Sequence, residues 1–100
     1  NRAIDYIHRM FSEDVKLEDV AQVAHLSDAA FSRFFRKYMG QTFSDYIIEL
    51  RLSEACRLLL ETDLPITEVA FSVGFRNLSN FNRQFLKRKL MSPREFRKLH

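Results

Sequence analysis

Phe31-Ser32-Arg33-Phe34-Phe35-Arg36-Lys37 returns fifty residues later as Phe81-Asn82-Arg83-Gln84-Phe85-Leu86-Lys87. Phenylalanine, arginine, phenylalanine and lysine recur in the same order and at the same spacing. The correspondence extends outward on both sides. Upstream the offset is 49: Leu17 meets Ile66, Asp19 meets Glu68, Val20 meets Val69, Ala21 meets Ala70 and Leu26 meets Phe75. One extra residue near Asn77 makes it 50, and Thr42 then meets Ser92 and Tyr46 meets Phe96. Self-similarity at a fixed offset means that one supersecondary unit has been built twice. Two amphipathic helices that match by chance would share the phenylalanines. They would not share the order of short helix, turn and longer helix around them.

Helix ends are readable from the residues that stop and start them. A first helix is expected over about 2–11, with Ile4, Ile7, His8 and Phe11 on one face. A short second helix runs over about 17–24, with Val20, Ala21 and Ala24 inward. Ser27 is suited to N-cap a third over about 28–39, and Gly40 to follow its end. Thr42 and Asp45 have the spacing of a capping box that opens a long fourth helix reaching about Glu61. Asp63-Leu64-Pro65 breaks it, and Pro65 suits the first turn of a fifth helix over about 66–72. Asn77 caps a sixth over about 78–89. Ser92-Pro93-Arg94-Glu95 is a full capping box with proline at the first helical position, which opens a seventh. The fold class is therefore all-α, about seven helices forming two helix-turn-helix units. The first unit covers about 1–41, a linker helix about 42–62 and the second unit about 63–100, all within one domain over 1–100.

Each unit needs a tight turn between its short and long helix. Gly74 supplies a residue that tolerates positive φ in the second unit, and His25 stands at the same place in the first. On the third helix Phe31, Phe34, Phe35 and Tyr38 follow i, i+3, i+4, i+7 and are expected to form the core stripe. Ala29, Ser32, Arg33 and Arg36 have the same spacing on the opposite side. On the sixth, Leu78, Phe81 and Phe85 face inward, and Ser79, Asn82 and Arg83 outward with Asn80 beside them. Small residues let a helix approach base edges. Arginine can bridge guanine O6 and N7, and asparagine can pair with adenine N6 and N7. Lys37 and Lys87, a turn further on, suit phosphates, as do the helix N-termini near Ser27 and Asn77. A linker of about twenty residues is roughly 30 Å long, close to the ~34 Å of one DNA turn. Its apolar residues Tyr46, Ile47, Leu50, Ala55, Cys56, Leu58 and Leu59 serve both units, with Cys56 read as a small buried hydrophobe.

Charge agrees with a polyanionic partner. Residues 76–100 carry eight basic side chains against one acidic, whereas residues 1–30 carry three against six. The single cysteine allows no intrachain disulfide, which favours a reducing compartment. No apolar run approaches the roughly 18 residues that span a membrane. His8, His25 and His100 are far apart, no carboxylate or cysteine stands at ligand spacing, and no glycine-rich phosphate loop or nucleophile elbow is present. No catalytic group, metal or cofactor is expected. The aromatics are expected on core stripes rather than at exposed stacking positions, which argues against RNA binding. A helical protein-interaction module would explain the apolar stripes but not the matched Arg33 and Arg83. The chain starts at Asn1 without a methionine, as expected of a piece of a longer protein.

The run Arg51-Leu52-Ser53-Glu54-Ala55-Cys56-Arg57-Leu58-Leu59-Leu60, followed by Ile66-Thr67-Glu68-Val69-Ala70, Val73-Gly74-Phe75, Phe81-Asn82-Arg83-Gln84-Phe85 and Ser92-Pro93-Arg94-Glu95-Phe96-Arg97, resembles the AraC/XylS family of bacterial transcription regulators. Val20-Ala21, Leu26-Ser27, Phe31 through Lys37 and Gly40 carry the resemblance through the first half. It implies a seven-helix domain that binds adjacent major grooves of double-stranded DNA near promoters and often activates through RNA polymerase. It also implies a cytoplasmic, nucleoid-associated protein, with any small-molecule effector bound by a domain outside this chain. By position, base contacts would fall to Ala29, Ser32, Arg33 and Arg36 in one half and to Ser79, Asn80, Asn82 and Arg83 in the other. Ser27, Lys37, Arg76, Asn77 and Lys87 would meet phosphates. The chain departs from the family pattern at Lys16 and Pro65 (where Ser or Thr caps are frequent), at Phe71 and Arg76, and at Leu90, where a glycine often follows the sixth helix. Ala29 is small where members often place a larger contacting residue.

Overall fold

The computed structural model describes all 100 residues and contains seven α-helices and no strand. These are α1 (Arg2–Met10), α2 (Leu17–Val23), α3 (Asp28–Met39), α4 (Phe43–Glu61), α5 (Ile66–Ser72), α6 (Leu78–Lys89) and α7 (Pro93–Leu99). The helices start where side chains can satisfy free backbone N–H groups. Ser27 Oγ accepts from Ala30 N at 3.1 Å, Thr42 Oγ1 from Asp45 N at 3.1 Å and Asn77 Oδ1 from Asn80 N at 2.8 Å. At α7 the box is reciprocal: Ser92 Oγ accepts from Glu95 N, and Glu95 Oε1 from Ser92 N. Those bonds favour the carboxylate and hold the Glu95 carboxyl below its ordinary range. At α1, Asn1 Oδ1 accepts from Ala3 N and Ile4 N. α2 and α5 have no side-chain cap at Lys16 and Pro65, and lean instead on acids in their first turns, Glu18 and Asp19 in one and Glu68 in the other. Pro65 thus immediately precedes α5 rather than lying in its first turn.

The chain divides into two compact units, Asn1–Leu50 and Arg51–His100, with α4 contributing residues to both. In the first, α1 packs on α2 and α2 on α3 around Ala3, Ile7, Val20, Ala21, Phe31, Phe35, Phe43 and Ile47. Phe31, Phe35 and Phe43 meet pairwise at 5.7–6.2 Å between centroids, and Tyr46 joins Phe35 edge-on at 5.4 Å. In the second, α5 packs on α6 and α6 on α7. Its core holds Leu52, Ala55, Leu59, Val69, Ala70, Val73, Phe75, Phe81 and Phe85. A run of ring contacts passes from Phe75 through Phe81 and Phe85 to Phe96, each at 5.2–5.7 Å. Each buried phenylalanine contributes roughly 1.5–3 kcal/mol by leaving water.

The two helix-turn-helix turns are the same backbone object. In the first, Ala24 N, His25 N and Leu26 N donate to Val20 O, Gln22 O and Ala21 O. In the second, Val73 N, Gly74 N and Phe75 N donate to Val69 O, Phe71 O and Ala70 O. The pattern needs a left-handed residue in the middle, and His25 (φ 59°) and Gly74 (φ 111°) provide it.

Three expectations need correction. Phe34 and Tyr38 are not core: they are 43% and 66% exposed. Only the Phe31–Phe35 line of α3 points at the centre of the unit. Phe34 and Tyr38 fall on its flank and pack against each other with tilted rings, 4.6 Å between centroids. Of the face expected to carry Ile4, Ile7, His8 and Phe11, only Ile7 is fully buried and His8 is exposed, because Ala3 and Ile7 define the buried line of α1; the His8 Nε2 lies 2.7 Å from the Tyr46 hydroxyl. Cys56 is half-buried rather than buried, and its neighbour Leu52, absent from the expected linker face, is fully buried instead. Burial still pushes the Cys56 thiol above its ordinary range.

Candidate nucleic-acid interface

The outward faces of α3 and α6 follow from where their phenylalanines point. With Phe31 and Phe35 fixed in one core and Phe81 and Phe85 in the other, a 3.6-residue period sends the intervening residues to solvent. On α3, Ala29, Ser32, Arg33 and Arg36 are all exposed, as is Lys37. On α6, Ser79, Asn82, Arg83 and Lys87 are exposed and Asn80 is half-buried. Each expected base-contacting set therefore lies on the solvent side of one helix. Each helix is 12 residues long, about 18 Å at 1.5 Å per residue.

The polar groups on the two faces are organised differently. In α6, Arg83 Nη2 donates to Asn80 Oδ1 at 2.7 Å, so the guanidinium is held against the helix one turn before it. The Asn80 backbone N–H is itself taken by the Asn77 cap. Asn77 and Asn80 thus form a short relay that orients Arg83, and the Asn80 carbonyl oxygen is engaged before any ligand arrives. In α3 the residue matching Asn80 is Ala30, which has no side-chain oxygen to offer Arg33. Lys37 Nζ instead lies 5.6 Å from the Tyr38 ring centroid, in cation–π range.

The field along the two helices also differs. α3 opens with Asp28 in its first turn and ends with Arg36 and Lys37. α6 has no acid in its first turn and ends with Lys87, Arg88 and Lys89. Arg76 and Asn77 are both exposed just ahead of α6. Ser27 is exposed at the same place ahead of α3. Both caps use an oxygen lone pair on the helix and keep a donor, the serine hydroxyl or the asparagine amide. A donor beside a helix N-terminus is suited to a phosphate oxygen. Leu86, not among the residues expected on this face, is 55% exposed on the outward side of α6. The repeat carries the signal that finds it, since offset 50 pairs Leu86 with Arg36.

No helix is long and apolar enough to cross a membrane. No cluster of His, Cys, Asp or Glu could hold a metal ion.

A family model described as a helix-turn-helix domain matches residues 20–99. Among curated proteins, the chain is 39% identical over 95 residues to the HTH-type transcriptional regulator YobQ of Bacillus subtilis, covering 95% of this chain and 39% of that protein. It is 34% identical over 96 residues to the regulatory protein PocR of Salmonella typhimurium, covering 96% and 32%. It is 34% identical over 97 residues to the HTH-type transcriptional activator RhaS of an Enterobacter species, covering 97% and 35%. The chain thus spans well under half the length of these relatives. Among solved structures, the C-terminal domain of AraT, a response regulator from Geobacillus stearothermophilus, superposes with a TM-score of 0.93 at 35% identity, over 99% of this chain and 83% of that one. The DNA-binding domain of AdpA, a global transcriptional factor solved in complex with a target DNA, gives 0.91 at 28% identity over 97% and 87%. A regulator from Chromobacterium violaceum with an AraC-type DNA-binding domain gives 0.89 at 28% identity over 97% and 87%. The family match over most of the chain, the identity with these regulators and the superposition on these domains agree, and the chain belongs to the AraC-type family of helix-turn-helix DNA-binding domains of transcription regulators.

Proposed function

We propose that the chain binds double-stranded DNA sequence-specifically, with α3 and α6 entering adjacent major grooves, and serves as the promoter-reading part of a longer transcription regulator. The observation that carries this is the matched placement of Arg33 and Arg83, each exposed on the face opposite the buried phenylalanines of its own unit. Base edges are read by Ala29, Ser32, Arg33 and Arg36 on α3 and by Ser79, Asn80, Asn82 and Arg83 on α6. Ser27, Lys37, Arg76, Asn77 and Lys87 meet phosphates, which set register and orientation without carrying sequence. Asn80 contributes chiefly by orienting Arg83, because its carbonyl oxygen is engaged there.

The regulator acts in the bacterial cytoplasm, on the nucleoid. Activation through contact with RNA polymerase is the favoured mode, supported by relatives named as activators. Any small-molecule effector binds a domain outside this chain.

Random-site selection on the purified chain tests the groove assignment. The expected product is a bipartite site, two elements about one helical turn, roughly 10–10.5 bp, apart. Recovery of a single compact element would mean that only one unit reads bases.

A further inference from the structure

Leu86 lies on the groove-facing stripe of α6 and has no counterpart in the chemistry assigned above. Ser79, Asn82, Arg83 and Leu86 follow i, i+3, i+4, i+7, so Leu86 sits one turn beyond Asn82 and Arg83 on the same face. Its neighbours Phe85 and Phe81 are fully buried, whereas Leu86 is 55% exposed. A scattered surface leucine requires no explanation. This one stands inside a polar and cationic stripe, between the base-reading arginine and the phosphate-reading lysine Lys87. Its partner in the repeat, Arg36, is charged and also exposed, so the apolar choice at this position belongs to the second unit alone.

We propose that Leu86 reads the 5-methyl group of a thymine in the major groove, making it a further specificity-determining residue of the second unit. The inference rests on the reading that α6 enters that groove. Once there, Leu86 is covered by whatever lies opposite it. The major groove offers hydrogen-bonding edges at every base but only one apolar feature, the thymine methyl. A leucine opposite donors or acceptors would desolvate them without return. Opposite a methyl it removes apolar surface from water on both sides. The two units then differ in kind at matched positions, a cation at Arg36 and a hydrocarbon at Leu86.

The test removes the methyl without touching any hydrogen bond. Each thymine of the selected duplex is replaced in turn by deoxyuridine, and binding is measured for the wild-type chain, Leu86→Ala and Arg83→Ala. One thymine in the element read by the second unit is expected to lose about fourfold on replacement, the equivalent of one methyl-sized group returning to water. Leu86→Ala is expected to bind the thymine duplex about fourfold more weakly and to be indifferent to deoxyuridine at that position only. Leu86→Arg, which copies the first unit, is expected to move the preferred base away from thymine there. The exposed side chain makes these variants safe for folding, and unchanged melting temperatures verify it. If no thymine shows a methyl effect that Leu86→Ala abolishes, while Arg83→Ala still alters base preference, the Leu86 assignment is overturned and the groove reading stands. If Arg83→Ala leaves base preference unchanged, the groove reading itself fails, and the Leu86 assignment with it.

Discussion

The two units build one backbone motif from opposite choices of residue. Each needs two left-handed positions, one in the turn before its recognition helix and one just after it. The first unit places a histidine in the turn (His25, φ 59°) and a glycine after the helix (Gly40, φ 73°). The second places a glycine in the turn (Gly74, φ 111°) and a leucine after the helix (Leu90, φ 62°). Each unit therefore carries one strained position and one relaxed one, at exchanged places. The same exchange of chemistry appears behind the recognition helices. Ile47 is buried in the first core, while its counterpart Arg97 sends Nε, Nη1 and Nη2 to the carbonyls of Leu59, Leu64 and Thr62 at 3.0, 2.8 and 3.2 Å. On the flank, the paired rings of Phe34 and Tyr38 of α3 correspond to Gln84 and Arg88 of α6, which hydrogen-bond to each other. Backbone geometry is thus the quantity the two halves share, and packing is free to be apolar or polar.

The largest expected effects come from breaking the Ile47–Arg97 contrast. Arg97→Ala removes three charge-assisted bonds that close the α4–α5 turn and is expected to cost about 3 kcal/mol of stability. Ile47→Ala leaves a cavity in the first core and is expected to cost a similar amount, about 2–4 kcal/mol. Denaturant titration gives the totals, and hydrogen exchange assigns them. Arg97→Ala should open the amides of the α4 C-terminus, α5 and α7. Arg97→Lys should recover only part, because one ammonium cannot fork to three carbonyls. A loss below about 1 kcal/mol for Arg97→Ala would mean that water satisfies those carbonyls equally well.

Next in size is the pair of recognition arginines. Arg83→Ala and Arg33→Ala should each cost about 1–3 kcal/mol of binding and relax preference at one base pair, in different elements of the site. The Arg83 loss should be the greater, since Asn80 already holds its guanidinium and less freedom is lost on binding. Asn80→Ala should narrow the difference between the two. Competition binding against single-base variants measures all three, and an Arg33→Ala loss equal on every sequence would reassign Arg33 to a phosphate.

The exchanged left-handed residues give effects of about 1 kcal/mol with opposite signs. Leu90→Gly should raise stability, because an L side chain in the left-handed region costs roughly 1–2 kcal/mol and glycine returns only part of that through unfolded-state entropy. Gly40→Ala should lower it by a similar amount. A Cβ at Gly40 meets nothing within 4 Å, so the cost there is conformational alone. Thermal melts of both variants measure this, and a destabilising Leu90→Gly would mean that the Leu90 side chain, 84% exposed, makes a contact worth more than the strain.

What was readable in the sequence was local. Ser27, Thr42, Asn77 and Ser92 announce their helices because a cap acts across three residues, and each accepts the backbone bond expected of it. The repeat exposed the outward faces of α3 and α6, including Arg33 and Arg83. What periodicity could not do was choose within an aromatic stripe. Phe34 and Tyr38 fit the core spacing as well as Phe31 and Phe35 do, and only the direction of the neighbouring helices excludes them. The Arg97 clamp was equally hidden, because its partners lie 33 to 38 residues away and no local pattern encodes them. Leu86 was visible only as a mismatch in the repeat.

The smallest effects concern Lys37 and Lys87, the last matched pair. Both are expected to contact phosphate, so each alanine variant should weaken binding to all sequences alike and lower the slope of log affinity against log salt by about one. Their surroundings differ. Lys87 lies in a last turn with Arg88 and Lys89, whereas Lys37 has only Arg36 and rests near the Tyr38 ring. A neighbouring cation can take over part of a vacated phosphate contact, so at fixed salt Lys37→Ala should weaken binding more than Lys87→Ala. Tyr38→Ala should have a lesser effect of the same uniform kind, because it frees the ammonium without removing it. Salt titrations on a specific and a scrambled duplex separate the cases. If either lysine variant loses affinity on the specific duplex alone, that side chain reaches a base edge, and the outward faces of α3 and α6 extend one turn further than assigned.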